Sequence, residues 1–369
     1  MVIGKCIRAA VVGSLALAAA AVGADARAEE RVVRVFNWSD YIDTQILTDF
    51  TTETGIKVVY DVFDSNEVLE TKLLAGGTGY DVVVPTGPFL SRQISAGVFQ
   101  KLDKSKLPNL ANMWPEISKR AAIYDPGNDY SINYMWGTTA IGYNVAKVKE
   151  RLPDAPVNSW DLLFKPENAA KFKDCGIHIL DAPDDVLPAA LNYLGLDPNS
   201  TNPDDLKKAG GLIEKIRPYV QKFHSSEYIN ALANGDICMA LGYSGDILQA
   251  ASRATEAKNG NTIAYGLPKE GAQMWFDQMA IPADAKHVEE AHIFLNYMMR
   301  PEVIAKASNF SSYANGNLAS QQFVNEEIKG DGNIYPDAET LKRLFVKTSY
   351  DAKTQRIVTR TWTKVVTGQ

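Results

Sequence analysis

Residues 32–85 read VVRVFNWSDYIDTQILTDFTTETGIKVVYDVFDSNEVLETKLLAGGTGYDVVVP, and the hydrophobic rhythm of this stretch switches between two periods four times. Residues 32–36 are short and β-branched, residues 45–54 carry Ile46, Leu47 and Phe50 at helical spacing, and residues 57–62 return to strand character. Residues 66–75 then place Val68, Leu69, Leu73 and Leu74 on one helical face, Gly76-Gly77-Thr78-Gly79 stops that helix, and residues 81–84 form a further strand. Strand–helix–strand–helix–strand order predicts a parallel sheet covered by helices on both sides.

Working outward, a second α/β segment follows over residues 157–242, with helices near 204–216 and 226–233. Residues 262–266 and 279–281 read as strands. Residues 288–300 are amphipathic through Ala291, Phe294, Leu295 and Met298, ending before Pro301. This late stretch repeats the character of the first one, so the chain is expected to cross between two lobes near residues 136–144 and 264–269.

Toward the N-terminus, Lys5 and Arg8 precede an apolar run over residues 9–22 that leads into Ala26-Arg27-Ala28, the layout of a secretory signal peptide cut after Ala28. No later run approaches the roughly 20 apolar residues of a membrane span, which predicts a soluble, exported mature protein. Removal of the leader leaves 341 residues, beyond the roughly 250–300 at which one core stops growing, and predicts two domains. The formal net charge moves from -6 to -8, which argues against a nucleic-acid partner and is compatible with cationic ones. Hydrophobic content of 46% and charged content of 22% are ordinary globular values. Cys6 leaves with the leader. Cys175 and Cys238 remain, either as one disulfide in an oxidising compartment or as two buried thiols.

Acids and rings recur together in short motifs: Asn37-Trp38-Ser39-Asp40-Tyr41, Asp184-Asp185, Tyr243-Ser244-Gly245-Asp246, Trp275-Phe276-Asp277, and Tyr313. Brought together, they would suit a flexible organic cation with charged ends and a hydrocarbon middle, a polyamine. Each ammonium losing water needs a carboxylate or several acceptors. Asp246 and Asp277 can serve one end, and Asp185 with Ser39 and Asp40 the other. The intervening methylenes, worth about 0.8 kcal/mol each on burial, and the flanking charges both favour flat rings. Trp38, Tyr243, Trp275 and Tyr313 form the expected box, with Tyr41 as a hydrogen-bonding rim. Each motif also has a plainer reading. Ser39 or Asp40 could cap the helix that starts near Asp43, Asp184-Asp185 could be a solvated loop pair, and Tyr243 and Trp275 could simply pack.

The segments 37–42, 57–74, 80–85, 135–144, 223–245, 268–284 and the closing Thr359-Arg360-Thr361-Trp362-Thr363-Lys364 resemble the periplasmic polyamine-binding proteins of ABC importers, most closely the putrescine receptors, over residues 32–369. The resemblance implies an α/β, two-lobed type II periplasmic-binding fold, each lobe a mixed sheet flanked by helices and the two joined by a multi-strand hinge. Residues 29–137 with 265–325 would form one lobe, and 138–264 with 326–369 the other. It further implies a monomeric, non-catalytic, cofactor-free receptor that closes on a polyamine and delivers it to a membrane permease. Four positions depart from the family pattern. Asp185 stands where Glu is usual, and Thr86 stands where Ser is common after Val-Val-Pro. Tyr243 with Trp275 mixes the putrescine receptors, which have Trp then Phe, with the spermidine receptors, which have Trp at the second position.

Other readings are weaker. An alternative is a receptor or sensor for another organic cation such as agmatine or cadaverine. A secreted hydrolase is remote, because Gly242-Tyr243-Ser244-Gly245-Asp246 puts Asp where a nucleophile elbow needs its second Gly. His178, His224, His287 and His292 show no metal-ligand spacing, and the glycine run at 76–79 lacks the Lys-Ser/Thr ending of a phosphate loop.

Overall fold

The computed structural model describes residues 31–368. The leader of residues 1–28, its Cys6 and the cleavage after Ala28 lie outside the described residues, which cluster as one compact unit.

The opening stretch folds as β1 (Val32–Trp38), helix Thr44–Thr54, β2 (Lys57–Phe63), helix Asn66–Ala75 and β3 (Val82–Val83). β1 pairs in parallel with both β2 and β3. The first helix is capped by Asp43, whose Oδ1 accepts from the Gln45 backbone N–H at 2.9 Å, so neither Ser39 nor Asp40 has that task. Gly55, at φ 69°, ends it in the left-handed conformation that costs glycine least.

The remaining strands are β4 (Ser131–Asn144), β5 (Ile177–Ile179), β6 (Lys222–Phe223), β7 (Met239–Tyr243), β8 (Ile263–Gly266), β9 (Gln273–Ala280), β10 (Ala314–Asn315) and β11 (Phe345–Val346). They join the first three in one sheet of order β2-β1-β3-β9-β4-β7-β5-β6, with β8 and β10 on β4 and β11 on β9. β4 is the spine. Its first part, from Ser131 to Thr139, pairs with β9, and its second part, from Thr139 to Asn144, pairs with β7 and β8. β9 is longer than the strand expected over residues 279–281. All eight of its residues are buried, polar Gln273, Asp277 and Gln278 included, so no solvent-facing alternation marks its first half in the sequence.

The cores follow this division of β4. One hydrophobic cluster draws only on residues 140–265 and 350–365, and two others draw only on residues 33–136 and 274–334. The chain passes from one group to the other along β4, again between Tyr265 and Met274, and a third time between Ile334 and Tyr350. The closing helix Ala352–Thr367 packs Val358, Trp362 and Val365 into the first cluster.

Cys175 and Cys238 form a disulfide with Cα atoms 5.4 Å apart, which removes the alternative of two free thiols. Cys238 immediately precedes β7, and Cys175 stands two residues before the start of β5, its parallel neighbour. Cross-linking positions 63 residues apart stabilises the fold by roughly 4 kcal/mol in the chain-entropy account.

Candidate functional site

A cavity of about 690 Å³ of atom-free space, part of it open to solvent, lies between the two groups of core residues. Of the residues singled out in the sequence, Trp38, Ser39, Tyr41, Thr86, Asp185, Tyr243, Asp246, Trp275, Asp277 and Tyr313 line it. Asp40 does not line it. Its backbone turns into the left-handed region at φ 55°, and its carboxylate pairs at the surface with Arg253, Nη2 to Oδ1 2.9 Å.

Asp277 stands on β9 and is buried. Its Oδ1 accepts from the Thr86 hydroxyl at 2.6 Å and its Oδ2 from Tyr41 at 2.8 Å. Burial pushes this carboxyl up to about 7, against the pull of those two hydrogen bonds. Thr86 follows β3, and Asn66 fixes it by donating to its Oγ1 at 3.0 Å and accepting from its backbone N–H at 3.1 Å.

Asp246 sits in the first turn of helix Ser244–Glu256, which leaves β7 without a loop. Tyr228 and Tyr313 donate to its two oxygens at 2.6 and 2.7 Å. The helix N-terminus favours the charged form, yet burial lifts this carboxyl to about 6. Gly245 makes that arrangement possible, because a Cβ there would lie 2.4 Å from Cδ2 of the Tyr313 ring.

Asp185 enters from the helix Pro183–Tyr193. Thr139 and Gln273 donate to its Oδ1, both at 3.0 Å, and Tyr243 donates to its Oδ2 at 3.3 Å. Burial, with Asp184 beside it, holds this carboxyl up at about 7.

The rings meet edge to face. Tyr243 and Trp275 have centroids 5.6 Å apart, Trp275 and Tyr313 5.3 Å, and Tyr41 and Tyr313 5.1 Å. Gly137 on β4 leaves room for the indole of Trp275, whose Cζ2 would stand 2.7 Å from a Cβ there. Trp38 is held by its Nε1, which donates to the Val84 carbonyl at 2.9 Å. Trp275 Nε1 and Gln273 Oε1, both buried at the cavity wall, lack a protein partner, so the wall keeps a donor and an acceptor in reserve.

Several lining residues went unread in the sequence: Gln273, Asp64, Asn66, Phe89, Ser225 and Ser226. Gln273 had a signal, since Gln273, Trp275 and Asp277 alternate along one face of β9. The others come from loops and helix ends that only the packing of the two halves brings together. Asp184 also reaches the wall.

Among the described residues that line the cavity there are five aspartates and six aromatic rings, and no Lys, Arg or His. Ser244, the serine of the elbow-like motif, has its hydroxyl accepting from the Thr138 backbone N–H at 3.3 Å. Among the described residues no group of His, Cys, Asp and Glu is placed to hold a metal ion, and no helix is long and apolar enough to cross a membrane.

Comparison with known proteins agrees with this chemistry. The family profile described as bacterial extracellular solute-binding protein matches residues 45–336. The putrescine-binding periplasmic protein SpuD of Pseudomonas aeruginosa strain UCBPP-PA14 is 55% identical over 357 residues, covering 96% of this chain and 97% of its own. The putrescine-binding periplasmic protein PotF of Escherichia coli K12 is 54% identical over 356 residues, covering 96% of each. Among solved structures, the spermidine/putrescine ABC transporter substrate-binding protein PotD from Streptococcus pneumoniae superposes with a TM-score of 0.74 at 32% identity, over 91% of this chain and 98% of that one. The fold is that of the two-lobed type II periplasmic binding proteins.

Proposed function

The chain belongs to the bacterial extracellular solute-binding protein family, and from that premise we propose that it is a periplasmic polyamine receptor, favouring putrescine, that hands its ligand to an ABC permease. It is a solute receptor and not an enzyme. One observation carries the choice of ligand: a cavity walled by five aspartates and six rings with no basic side chain among its described lining residues. Desolvated acids without counter-ions are costly unless a cation comes with the ligand. The protonated ends of a diamine supply two, and its methylenes lie against the rings.

In this reading Asp246 and Asp277 take one ammonium and Asp185 the other. Trp38, Tyr243, Trp275 and Tyr313 box the methylenes, while Ser39, Tyr41 and Thr86 complete the rim. The lobes are residues 31–137 with 274–334 and residues 138–265 with 350–368, a division the core clusters support in place of the expected changes at 265 and 326, closing about β4 and the segments 266–273 and 335–349. The leader is removed after Ala28, and the mature receptor works as a monomer without nucleic-acid partners.

Titration calorimetry with putrescine, cadaverine, agmatine, spermidine and spermine tests the reading. Binding of putrescine or spermidine without turnover is expected, and failure to bind any of the five would overturn it. Trp275→Phe shortens the ring facing the ligand, and the ratio of putrescine to spermidine affinity should change. An unchanged ratio would remove Trp275 from the control of ligand length.

A further inference from the structure

The motif Gly242-Tyr243-Ser244-Gly245-Asp246 sets two glycines before one acid, and each glycine clears space for a different tyrosine. Gly245 faces Tyr313. Gly242, on β7, faces Tyr228, because a Cβ there would stand 2.6 Å from Cε2 of that ring. These are the two tyrosines whose hydroxyls donate to Asp246, so both glycines of the motif serve the holding of one carboxylate.

The two tyrosines differ in what they can reach. Tyr313 lines the cavity, whereas Tyr228 does not and is fully buried. Tyr228 opens the helix Tyr228–Asn234 and packs into the core cluster drawn from residues 140–265 and 350–365. Its hydroxyl works in both directions: it donates to Asp246 Oδ2 at 2.6 Å and accepts from the Tyr243 backbone N–H at 3.1 Å. One oxygen atom therefore ties a carboxylate of the cavity wall to the backbone that carries one of its rings. Burial, with the charge of Asp246 beside it, holds this phenol well above its ordinary range, so it remains a donor at neutral pH.

A hydrogen bond donated to a buried carboxylate favours its ionised form. The other titratable and charged groups facing Asp246 are Tyr313 at its Oδ1, Arg253 on its own helix, Asp40, which Arg253 pairs, Asp277 on β9, and the phenols of Tyr41 and Tyr243. Tyr228 and Tyr313 hydrogen-bond to the carboxylate, and of these two Tyr228 stands outside the cavity lining.

We infer that Tyr228 is a positioning residue for polyamine recognition, whose hydroxyl fixes the Asp246 carboxylate and the Tyr243 backbone without touching the ligand. The inference rests on the polyamine reading above and adds a residue behind the cavity wall to those that line it.

Tyr228→Phe tests it, since the variant keeps the ring that packs on Gly242 and removes the hydroxyl alone. Calorimetry should show putrescine weakened by about twofold or more at pH 8, with a loss at pH 6 at least about threefold larger. The sign follows from the missing hydrogen bond: without it the Asp246 carboxyl titrates above its present value of about 6, and less of it is charged at pH 6. In an Asp246→Asn background, where this acid cannot ionise, Tyr228→Phe should lose the pH-dependent part of its effect. Unchanged affinity, a loss equal at both pH values, or a pH-dependent loss that persists with Asp246→Asn would overturn the inference. Should Tyr228→Phe fail to fold, wild type labelled with ¹³C at tyrosine Cζ decides it. The Tyr228 resonance should move as Asp246 titrates near pH 6, and a resonance that stays fixed across that titration would overturn it. A wild type that binds no polyamine would overturn the polyamine reading itself, so the two failures are distinguishable.

Discussion

Asp277 has exchanged water for two hydroxyls, and neither Tyr41 nor Thr86 brings a charge to balance it. Asp246 is in the same position with Tyr228 and Tyr313. Asp246→Ala and Asp277→Ala should therefore each weaken putrescine by at least about tenfold, about 1.4 kcal/mol, while the protein still unfolds cooperatively. Near-unchanged calorimetric affinity in both would remove these residues from the ligand site. The same burial sets the response to pH. Asp185 and Asp277 are raised to about 7 and Asp246 to about 6, from an ordinary value of 3.8. The empty native protein thus keeps protons that the unfolded chain has already released, and its stability falls as pH rises from 3.8 toward about 7. A diamine, protonated to about pH 10 like a lysine side chain, reverses the preference by favouring the charged acids. Putrescine affinity should rise at least about tenfold between pH 5 and pH 8. Calorimetry near pH 6.5 in two buffers of different ionisation enthalpy should detect proton release, and a flat profile would contradict the shared desolvation of these acids.

At the scale of elements, the site is built on strand ends and on helices that start where strands stop. β7 runs straight into helix Ser244–Glu256, which presents Tyr243 and Asp246 within four residues. β9 presents Gln273, Trp275 and Asp277 by simple alternation. Close approach is bought with glycine. Gly245→Ala sets a methyl 2.4 Å from Tyr313 Cδ2 and displaces the ring that donates to Asp246. The expected cost is about 1–3 kcal/mol of stability, read from urea unfolding, together with weaker putrescine binding. Wild-type stability in this variant would show that Tyr313 yields without strain.

For the molecule as a whole, the contact between Asp40 and Arg253 joins the first motif of the chain to the helix that carries Asp246. Both side chains are substantially exposed, by 44% and 33%, and exposed pairs of this kind contribute about 0–1 kcal/mol. Asp40→Asn should accordingly lower putrescine affinity by less than about fivefold, well short of Asp277→Ala, and should act mainly by hastening ligand release in stopped-flow measurements. A loss as large as that of Asp277→Ala would return Asp40 to direct ligand contact.

Short-range features are legible in the residues alone. The alternation of periods over residues 32–85 specified the βαβαβ unit, with helix Asn66–Ala75 read to its ends, because period and capping are short-range properties. The paired acids and rings were legible for the same reason: Asp277 lies two residues from Trp275, and Asp246 three from Tyr243. Only the tertiary structure decided that Asp40 turns out toward Arg253 while Ser39 stays at the cavity, that Asp43 takes the helix cap, and that Gln273, Phe89 and Ser225 share one wall. Those outcomes depend on which surfaces meet once β4 and β9 bring two cores together, and burial between them, absent from any local pattern, is also what lifts the carboxyls toward neutrality.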